Sequence, residues 1–501
     1  MPTHRDHSHY DIAVIGAGPA GAATAIRAAR SGARVIVFEK GAHGRDKVCG
    51  DGLTPRAIGA LDELKIDIGD SHHIVGLRMI ANKTRRELDW PTTSRFPNHG
   101  AVWPRRLLDA ALMDAAVEAG AELVYETEAL PTVDDRGRVS GVEAAGRRFS
   151  ADLVVLAAGA PGAASRLLGA ERIADEPFGL AIRSYAASPR HADQHLEACL
   201  TLRDANGTPV PGYGWMFPAG DGTVNIGVGA LSTMKGFKSL NLNTLLDSYR
   251  SLVADEWDLG PNLERPRAWR LPMSVQQRHG EGWVAVGDAA GLVNPMNGEG
   301  IDYGLESGML AADLFLDDPA TAPARYDQQV GERFDSFLRT GRRFSFLIGH
   351  PLILRSGLRL AVGTQSIANI TLAVMGNLVD SETPGASGRV LTAADKLLGL
   401  ADPSSARPAP RPETPRAIGP PPPPPPAAAL RYQGADHGAV IPEMVNPAPD
   451  QRQRRHHGVV HGALAPKMMG DRRVQVSERV GGASVAPPRS HRGAERRGRS
   501  P

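Results

Sequence analysis

Residues 11–39 read DIAVIGAGPAGAATAIRAARSGARVIVFE, and the reading of this stretch decides the fold. The apolar run from Asp11 to Ile15 predicts a strand. It passes into Gly16, Gly18 and Gly21, with Ala17, Pro19 and Ala20 between them. An Ala-rich segment then predicts a helix, and ARVIVFE predicts a second strand ending at Glu39. In a βαβ unit that cradles a pyrophosphate each glycine has a reason. Gly16 permits the tight turn, Gly18 lets the backbone approach the phosphates, and Gly21 lets helix and strand pack closely. The helix start offers free N–H groups and the positive end of its dipole. Glu39, 23 residues after Gly16, stands where an acid binds ribose hydroxyls. A bare G-x-G-x-x-G is weak evidence. With strand, helix, second strand and terminal acid in register it predicts a Rossmann-type dinucleotide-binding domain in an α/β protein.

The motif alone does not separate NAD from FAD. Three things favour FAD: its place in the first twenty residues, the lack of a second such motif in a βαβ unit, and another Gly-rich loop about 270 residues later. That loop, GDAAGLVNPMNGEG (287–300), follows the apolar run WVAV and precedes IDYGLESGMLAADLFL, which reads as a helix.

The loop resembles the distal FAD motif of the p-hydroxybenzoate-hydroxylase-like flavoproteins. The resemblance implies that Asp288, after Gly287, hydrogen-bonds the ribityl chain. It also implies that Pro295, Gly298, Glu299, Gly300 and Ile301 belong to a loop and helix start whose N–H groups reach the flavin N1/O2 edge. A helix start suits the negative charge of a reduced flavin. VWPRRLLDAALMDAA (102–116) matches that family's R-x-x-x-D helix start, which implies Arg105 near the FAD phosphates; read alone, Arg105 is a solvated helix cap. VYETEA (124–129) predicts a strand whose end, near Ala129, contacts adenine through its backbone. ADLVVLAAGAPG (151–162) predicts a strand ending in Ala157-Ala158-Gly159, where many relatives have Ala-Asp-Gly. The missing acid weakens the likeness to the NADPH-using hydroxylases.

GRDKVCGDGLTP (44–55) and GYGWMFP (212–218) narrow the likeness. Together they resemble the geranylgeranyl reductase family, flavoenzymes that saturate isoprenoid double bonds. NIGVGALS (225–232) and NPMNGEGIDYGLESG (294–308) match its menaquinone-reducing subgroup, which saturates a bond in the prenyl tail of the quinone. The resemblance covers about residues 10–400. It implies an FAD cofactor and a polyprenyl lipid or menaquinone substrate. The reductant stays open between NADPH, NADH and a protein or quinol donor. A geranylgeranyl-lipid reductase, an FAD-dependent aromatic monooxygenase, an isoprenoid cyclase and a non-catalytic flavin or lipid binder are the rival readings.

Saturating an isolated C=C needs a hydride and a proton. An unactivated alkene cannot stabilise a carbanion, so protonation toward a tertiary cation is the expected course. That requires an acid near the flavin, a dry pocket and π faces, which Tyr213 and Trp215 supply. On packing grounds alone GYGWMFP is a core strand with two aromatics turned inward. Cys49 follows the basic Arg45 and Lys47 and precedes Gly50-Asp51-Gly52. It is expected at the site, as proton donor or as pocket wall, since buried thiols are usually inert. Asp51 is the competing acid, with a flavin-contacting or capping role equally open. The expected catalytic set is Cys49, Tyr213 and Trp215; Lys40 and Arg45 join Glu39 and the loops above as cofactor-binding positions.

The chain is 42% hydrophobic and 22% charged, as a soluble globular protein is. Its two cysteines give no disulfide framework, which points to a reducing compartment. The start, MPTHRDHSHYD, is too polar for a signal peptide, and its His4, His7 and His9 read as a frayed terminus rather than a metal site. The expected division is FAD-binding segments at 10–80, 101–170 and 276–330, substrate-domain strands at 81–100, and an isoprenoid-binding β-sheet domain at 171–275. C-terminal helices occupy 331–402 and a disordered tail 403–501. The tail carries seven consecutive prolines, 16 Lys and Arg and 7 Asp and Glu. A dispensable extension, or a frameshifted product of a GC-rich gene, is preferred there over nucleic-acid binding, because aromatic interleaving is missing.

Residues 360–379 are uncharged but too polar for a transmembrane helix. Ile367, Ile370, Val374 and Leu378 recur at helical spacing. Before them Arg355 and Arg359 flank an apolar run. The expectation is that 344–379 packs over the substrate channel and touches the inner face of the cell membrane, the protein being cytoplasmic and peripheral. Two ordinary core-facing helices fit the pattern equally.

Overall fold

The computed structural model describes residues 9–93, 95–204, 206–350, 353, 357 and 363–378. The tail, His4, His7, Arg355 and Arg359 lie outside the described residues.

In the first sheet, His9–Ile15 lies between Val35–Phe38 and Arg147–Leu156, all parallel; Ile12 pairs with Val35 on one side and Leu153 on the other. Trp283–Ala285 and Glu122–Val124 extend it at either end, again in parallel. The VIVF strand is buried throughout, as a parallel strand covered on both faces must be. The common direction brings the turns after Ile15, Phe38, Leu156 and Ala285 to one edge, the place where open α/β sheets bind ligands.

Two helices open at that edge, Pro19–Arg30 and Ile301–Asp317. They lie against each other because small residues meet there. A Cβ added at Gly308 would stand 2.2 Å from the Ala20 carbonyl oxygen. Thr24 Oγ1 donates to Gly308 O at 3.1 Å, and Arg27 forks onto Asp313 at 2.7 and 3.1 Å. This contact brings the two Gly-rich motifs to one place.

The second sheet has seven strands, in the order Arg267–Pro272, Phe178–Ala187, Thr223–Leu231, Gly212–Pro218, His195–Cys199, Gly76–Ala81 and Thr84–Asp89. Its neighbours are antiparallel except His195–Cys199 with Gly76–Ala81. Helix Leu242–Trp257 covers one face, where the Tyr249 ring sits 2.6 Å from the Cβ position of Gly214. The alternating Tyr213, Trp215 and Phe217 turn to the other face, toward the cavity. A small third sheet joins Gly52–Leu53, Gly100–Val102 and His72–Ile74. Helices Ala322–Val330, Ser336–Ile348 and Gln365–Met375 follow.

Two local expectations differ from the structure. VYETEA is not a strand: Glu122–Val124 ends, and Ala129 starts a new one. The chain between wraps around residues 39–41, with Glu126 N–H donating to Gly41 O and Thr127 N–H to Glu39 O. The strand at 147 stops at Leu156, and Ala157 leaves it to place its carbonyl against Gly16.

Beside the second sheet, Asp193 accepts from Arg78 at 2.9 and 3.1 Å, from Arg190 at 2.5 Å and from His195 N–H at 3.0 Å. Burial pushes its carboxyl up, but these donors prevail and hold it at about 2. A lowered acid stabilises the fold fully above its ordinary pKa and loses that effect as pH falls through the folded value. Acid denaturation should therefore show a loss of about 2 kcal/mol between about pH 4 and pH 2 that is absent in D193N, read by chemical denaturation at each pH.

Candidate active site

A cavity of about 1210 Å³ runs along the ligand edge of the first sheet and under the second. It exceeds the roughly 300–1,000 Å³ of a pocket for one small ligand, so a dinucleotide and a second molecule have room.

At one end lies the first glycine motif. Gly16 has φ +105°, and a Cβ there would stand 2.4 Å from Ala157 O. A Cβ at Gly21 would stand 2.0 Å from Gly16 O. Gly18 is different. A Cβ there would point into open cavity, with Arg105 Nη2 the nearest atom at 3.9 Å. Glycine suits this N-cap position, and the open space leaves room for the phosphates of a dinucleotide beside a helix start and a guanidinium. Pro19 opens the helix at its first turn, where a missing N–H costs nothing.

Glu39 is buried and saturated by the protein. It accepts from Ala17 N–H (3.0 Å), Gly41 N–H (2.8 Å) and both arms of Arg45 (2.8 and 3.1 Å). Burial raises its pKa, but Arg45 and the two N–H groups bring it below the usual range. Glu39 thus ties the glycine turn to the loop that carries Arg45. Arg105 is buried too and forks onto Asp109 at 2.7 and 2.8 Å. Lys40, Thr127, Glu128 and Ala129 complete this end.

The other end is the 287–301 loop. Gly287 has φ +58° and packs 2.9 Å from Ala20 Cβ through its Cβ position. Asp288 faces the cavity with Lys47 Nζ 3.6 Å from its Oδ2. Asn294 Oδ1 accepts from Met296 N–H and Asn297 Oδ1 from Glu299 N–H, folding the loop on itself. Pro295, Gly298, Glu299, Gly300 and Ile301 all line the cavity. The loop is held from behind by Asn377, which has φ +62° and closes the last described helix. Its side chain accepts from Asn294 Nδ2 (2.7 Å) and the Tyr303 hydroxyl (2.9 Å), and donates to Asp302 (2.5 Å). That helix sends Ile367, Ile370 and Val374 into the cavity; Leu378, beyond its end, is buried in the core.

Between the two ends stands the aromatic row. Trp215 Nε1 donates to Asn225 Oδ1 at 2.9 Å. Asn225 Nδ2 donates to Cys49 O (2.9 Å) and Asp51 Oδ2 (2.8 Å), and the Tyr185 hydroxyl also donates to Asp51. Arg105 N–H reaches the other Asp51 oxygen at 3.2 Å. The 49–52 loop is thereby fastened to the sheet by groups from two strands. Gly50 and Gly52 are required there, because their Cβ positions lie 3.0 and 2.9 Å from the Phe217 ring. Burial pushes the Cys49 thiol up, despite the nearby Arg105, so it stays protonated at neutral pH. Burial likewise raises the Asp51 carboxyl.

All the expected site residues except Ala17 and Gly21 line the cavity; those two shape the turn behind it. Tyr213 and Trp215 face inward, as a core strand would have them, and they face the cavity by doing so. Tyr185, Asn225 and Asn377 were not legible as site residues. Each sits in an ordinary strand or helix end and acquires its place only through partners far along the chain. A signal for Asn225 was present in NIGVGALS: a polar residue opening a run of otherwise small and apolar ones.

The chain belongs to the FAD-binding domain family FAD_binding_3, whose model matches residues 9–315. Within it, the chain is 39% identical over 384 residues to the menaquinone reductase of Mycolicibacterium smegmatis, covering 74% of this chain and 92% of that one. It is 30% identical over 351 residues to digeranylgeranylglycerophospholipid reductase 1 of Methanopyrus kandleri, covering 66% and 88%. Its fold matches the crystal structure of a geranylgeranyl bacteriochlorophyll reductase-like protein from Thermoplasma acidophilum, with TM-score 0.64, 22% identity, and 77% and 99% of the two chains covered. The p-hydroxybenzoate-hydroxylase-like architecture, the FAD cofactor and the flavoenzyme class expected from the sequence are therefore borne out.

Proposed function

We propose that this flavoprotein saturates a C=C double bond in a polyprenyl chain, the isoprenoid side chain of menaquinone being its substrate. The observation that carries the reading is the apolar chamber between the 287–301 loop and the second sheet. Tyr213, Trp215 and Phe217 form one wall, Leu271, Met273 and Val293 another, and Ile367, Ile370 and Val374 the lid. A hydroxylated aromatic would need polar partners on these walls; a prenyl chain needs methyl-sized apolar contacts and π faces.

Bound FAD supplies the hydride when reduced. Gly16 to Gly21, Arg105 and Ala129 hold its AMP half, and Asp288 with Pro295 to Ile301 holds its flavin half. Tyr213 and Trp215 face the reacting bond and soften developing positive charge. Cys49, with its proton retained, walls the chamber beside them. The lid and the wall exclude water, which a cationic course requires. Either NADPH or NADH visits the same cleft as reductant, or a protein or quinol donor serves.

A quinone tail lives in the bilayer, and Phe344, Phe346, Leu347 and Ile353 are exposed, Phe344 also lining the cavity. We place this surface on the inner face of the cell membrane. Among the described residues no helix is long and apolar enough to cross a membrane. Vesicles carrying anionic lipid should float the protein; failure to float with either anionic or neutral vesicles would sink the contact.

The reaction is tested anaerobically. The flavin is reduced with dithionite, menaquinone with an unsaturated tail is added, and reoxidation is followed with mass spectrometry of the lipid. The quinone ring itself oxidises flavin, so the lipid mass decides. A gain of two hydrogens that survives ring reoxidation supports the reading. An unchanged tail moves the substrate to geranylgeranyl lipids.

A further inference from the structure

The chamber needs a proton donor, and its acids are not equivalent. Asp51 has both oxygens engaged, by Tyr185 and Asn225 on one and Arg105 N–H on the other. The Tyr213 hydroxyl is spent on Asn297 O at 2.5 Å. Cys49 Sγ takes the Asp51 N–H at 3.3 Å, and a thiol held by burial in its neutral form is a weak acid. Glu299 is the remaining candidate. It lines the cavity between Gly298 and Gly300, and its Oε1 accepts Ile301 N–H at 3.2 Å. Among the described residues no Lys, Arg or His pairs with it. Its backbone is clamped from both sides, by Asn297 Oδ1 on its N–H (2.8 Å) and by Asn294 N–H on its carbonyl (2.8 Å). Its charge acts on both the Cys49 thiol and the Tyr213 phenol, so the three stand around one space.

We propose that Glu299 is the general acid of the reduction, its carboxyl protonating the prenyl double bond in the chamber bounded by Tyr213 and Cys49. The inference rests on the prenyl-reductase reading above. The Glu299 carboxyl gives its proton to the less substituted alkene carbon as the π bond breaks. The hydride supplied by reduced FAD closes the other carbon. Two C–H bonds form, the alkene gains two electrons, and FAD loses two. The carboxylate left behind lies beside the tertiary centre while that centre is positive, where its charge is most useful. Solvent returns the proton before the next turnover.

The surroundings agree. Burial and the neighbouring Asp302 carboxyl push Glu299 well above the usual range, against the N–H groups of Ile301, Asp302 and Gly300, which pull it down. Asp302 is buried beside it, accepts from Asn377 and Tyr303 N–H, and is itself pushed to about 6 by burial despite Arg56. The other ionisable groups around the space include Cys49 and Asp51 on the 49–52 loop, Tyr213 on the sheet, Arg105 behind Cys49, Arg56 and Glu306 behind Asp302, and Asp288, which lies 3.1 Å from the Gly300 Cβ position and pairs with Lys47 at 3.6 Å. Among the described residues none pairs a cation with Glu299; the N–H groups of Gly300, Ile301 and Asp302 at the helix start face its carboxyl.

The test uses the FAD-loaded full chain and E299Q, which keeps shape and the Ile301 contact. E299Q should retain FAD and wild-type melting while prenyl reduction falls by about 10²- to 10⁴-fold, the usual contribution of a positioned acid. A second readout needs no turnover. A prenylamine, charged where the cation would form, should bind the wild type more tightly than the matching prenyl alcohol. E299Q should lose that preference. Wild-type rates in E299Q, or an unchanged preference for the amine, would overturn the assignment. If the wild type leaves the menaquinone tail intact, the substrate reading fails, and the amine preference still decides Glu299. If E299Q fails to hold FAD, an amine preference in the wild type that is absent in E299D decides it.

Discussion

A Gly18→Ala variant is expected to fold with wild-type stability and to bind FAD about 10- to 100-fold more weakly. Its backbone, at φ −78°, suits alanine, and the added methyl meets nothing nearer than Arg105 Nη2 at 3.9 Å. The folded protein therefore does not require glycine there. The methyl would occupy the space where a pyrophosphate must approach the N–H groups of the helix start. Losing one charge-assisted hydrogen bond costs roughly 1.5–3 kcal/mol, which sets the range. Gly21→Ala is the contrast. Its Cβ would stand 2.0 Å from Gly16 O, and Gly16 is already pressed against Ala157. That variant should lose stability and cofactor together. The visible flavin absorbance per protein, with melting measured on the same samples, separates the two cases. Full FAD content in Gly18→Ala would remove phosphate contact as the reason for this glycine.

Arg56→Ala should cost about 3–5 kcal/mol of stability. The Arg56 side chain is 2% exposed and forks onto Glu306 at 2.6 and 2.9 Å. Tyr303 and Phe334 lie against the guanidinium, 4.9 and 5.7 Å from it to their ring centroids. Removing the arginine leaves the partly buried Glu306 without its partner, next to Asp302, and the two carboxylates then repel. The double variant R56M/E306L should recover most of the loss, because no uncompensated charge remains. Chemical denaturation of the three proteins reads this directly. A fully additive double variant would show that the pair does not act as a unit. The effect also reaches the site, since Glu306 and Asp302 lie on the helix that opens with the 287–301 loop.

Both Gly-rich loops were legible because their reasons are local. A turn at φ +105° and a strand-to-helix junction need glycine whatever the rest of the chain does. Arg105, a solvated cap when read alone, is instead buried and forked onto Asp109 one helical turn on. The connector at 124–129 was misread because its residue types suit a strand. Its backbone groups bond instead to residues 39–41, which no local pattern reveals. Glu39 stood out in the sequence as the acid ending the second strand, but its saturation by Arg45 depends on a loop the motif does not contain.

By itself the sequence determined the Rossmann unit, the second nucleotide loop, the aromatic alternation at 213–217 and the family likeness. These are properties of spacing and residue type within a dozen or so neighbours. The tertiary structure alone decided which acids face the chamber. Tyr185 and Asn225 reach Asp51 across 134 and 174 residues and take its oxygens. Asn377 reaches Asp302 across 75. A carboxyl's chemistry depends on what donates to it and how much water it loses, and both follow from packing between distant segments. Asp51 and Glu299 are both acids among glycines in the sequence. Only the folded chain gives one the Tyr185 and Asn225 side chains as partners and the other the backbone of a helix start.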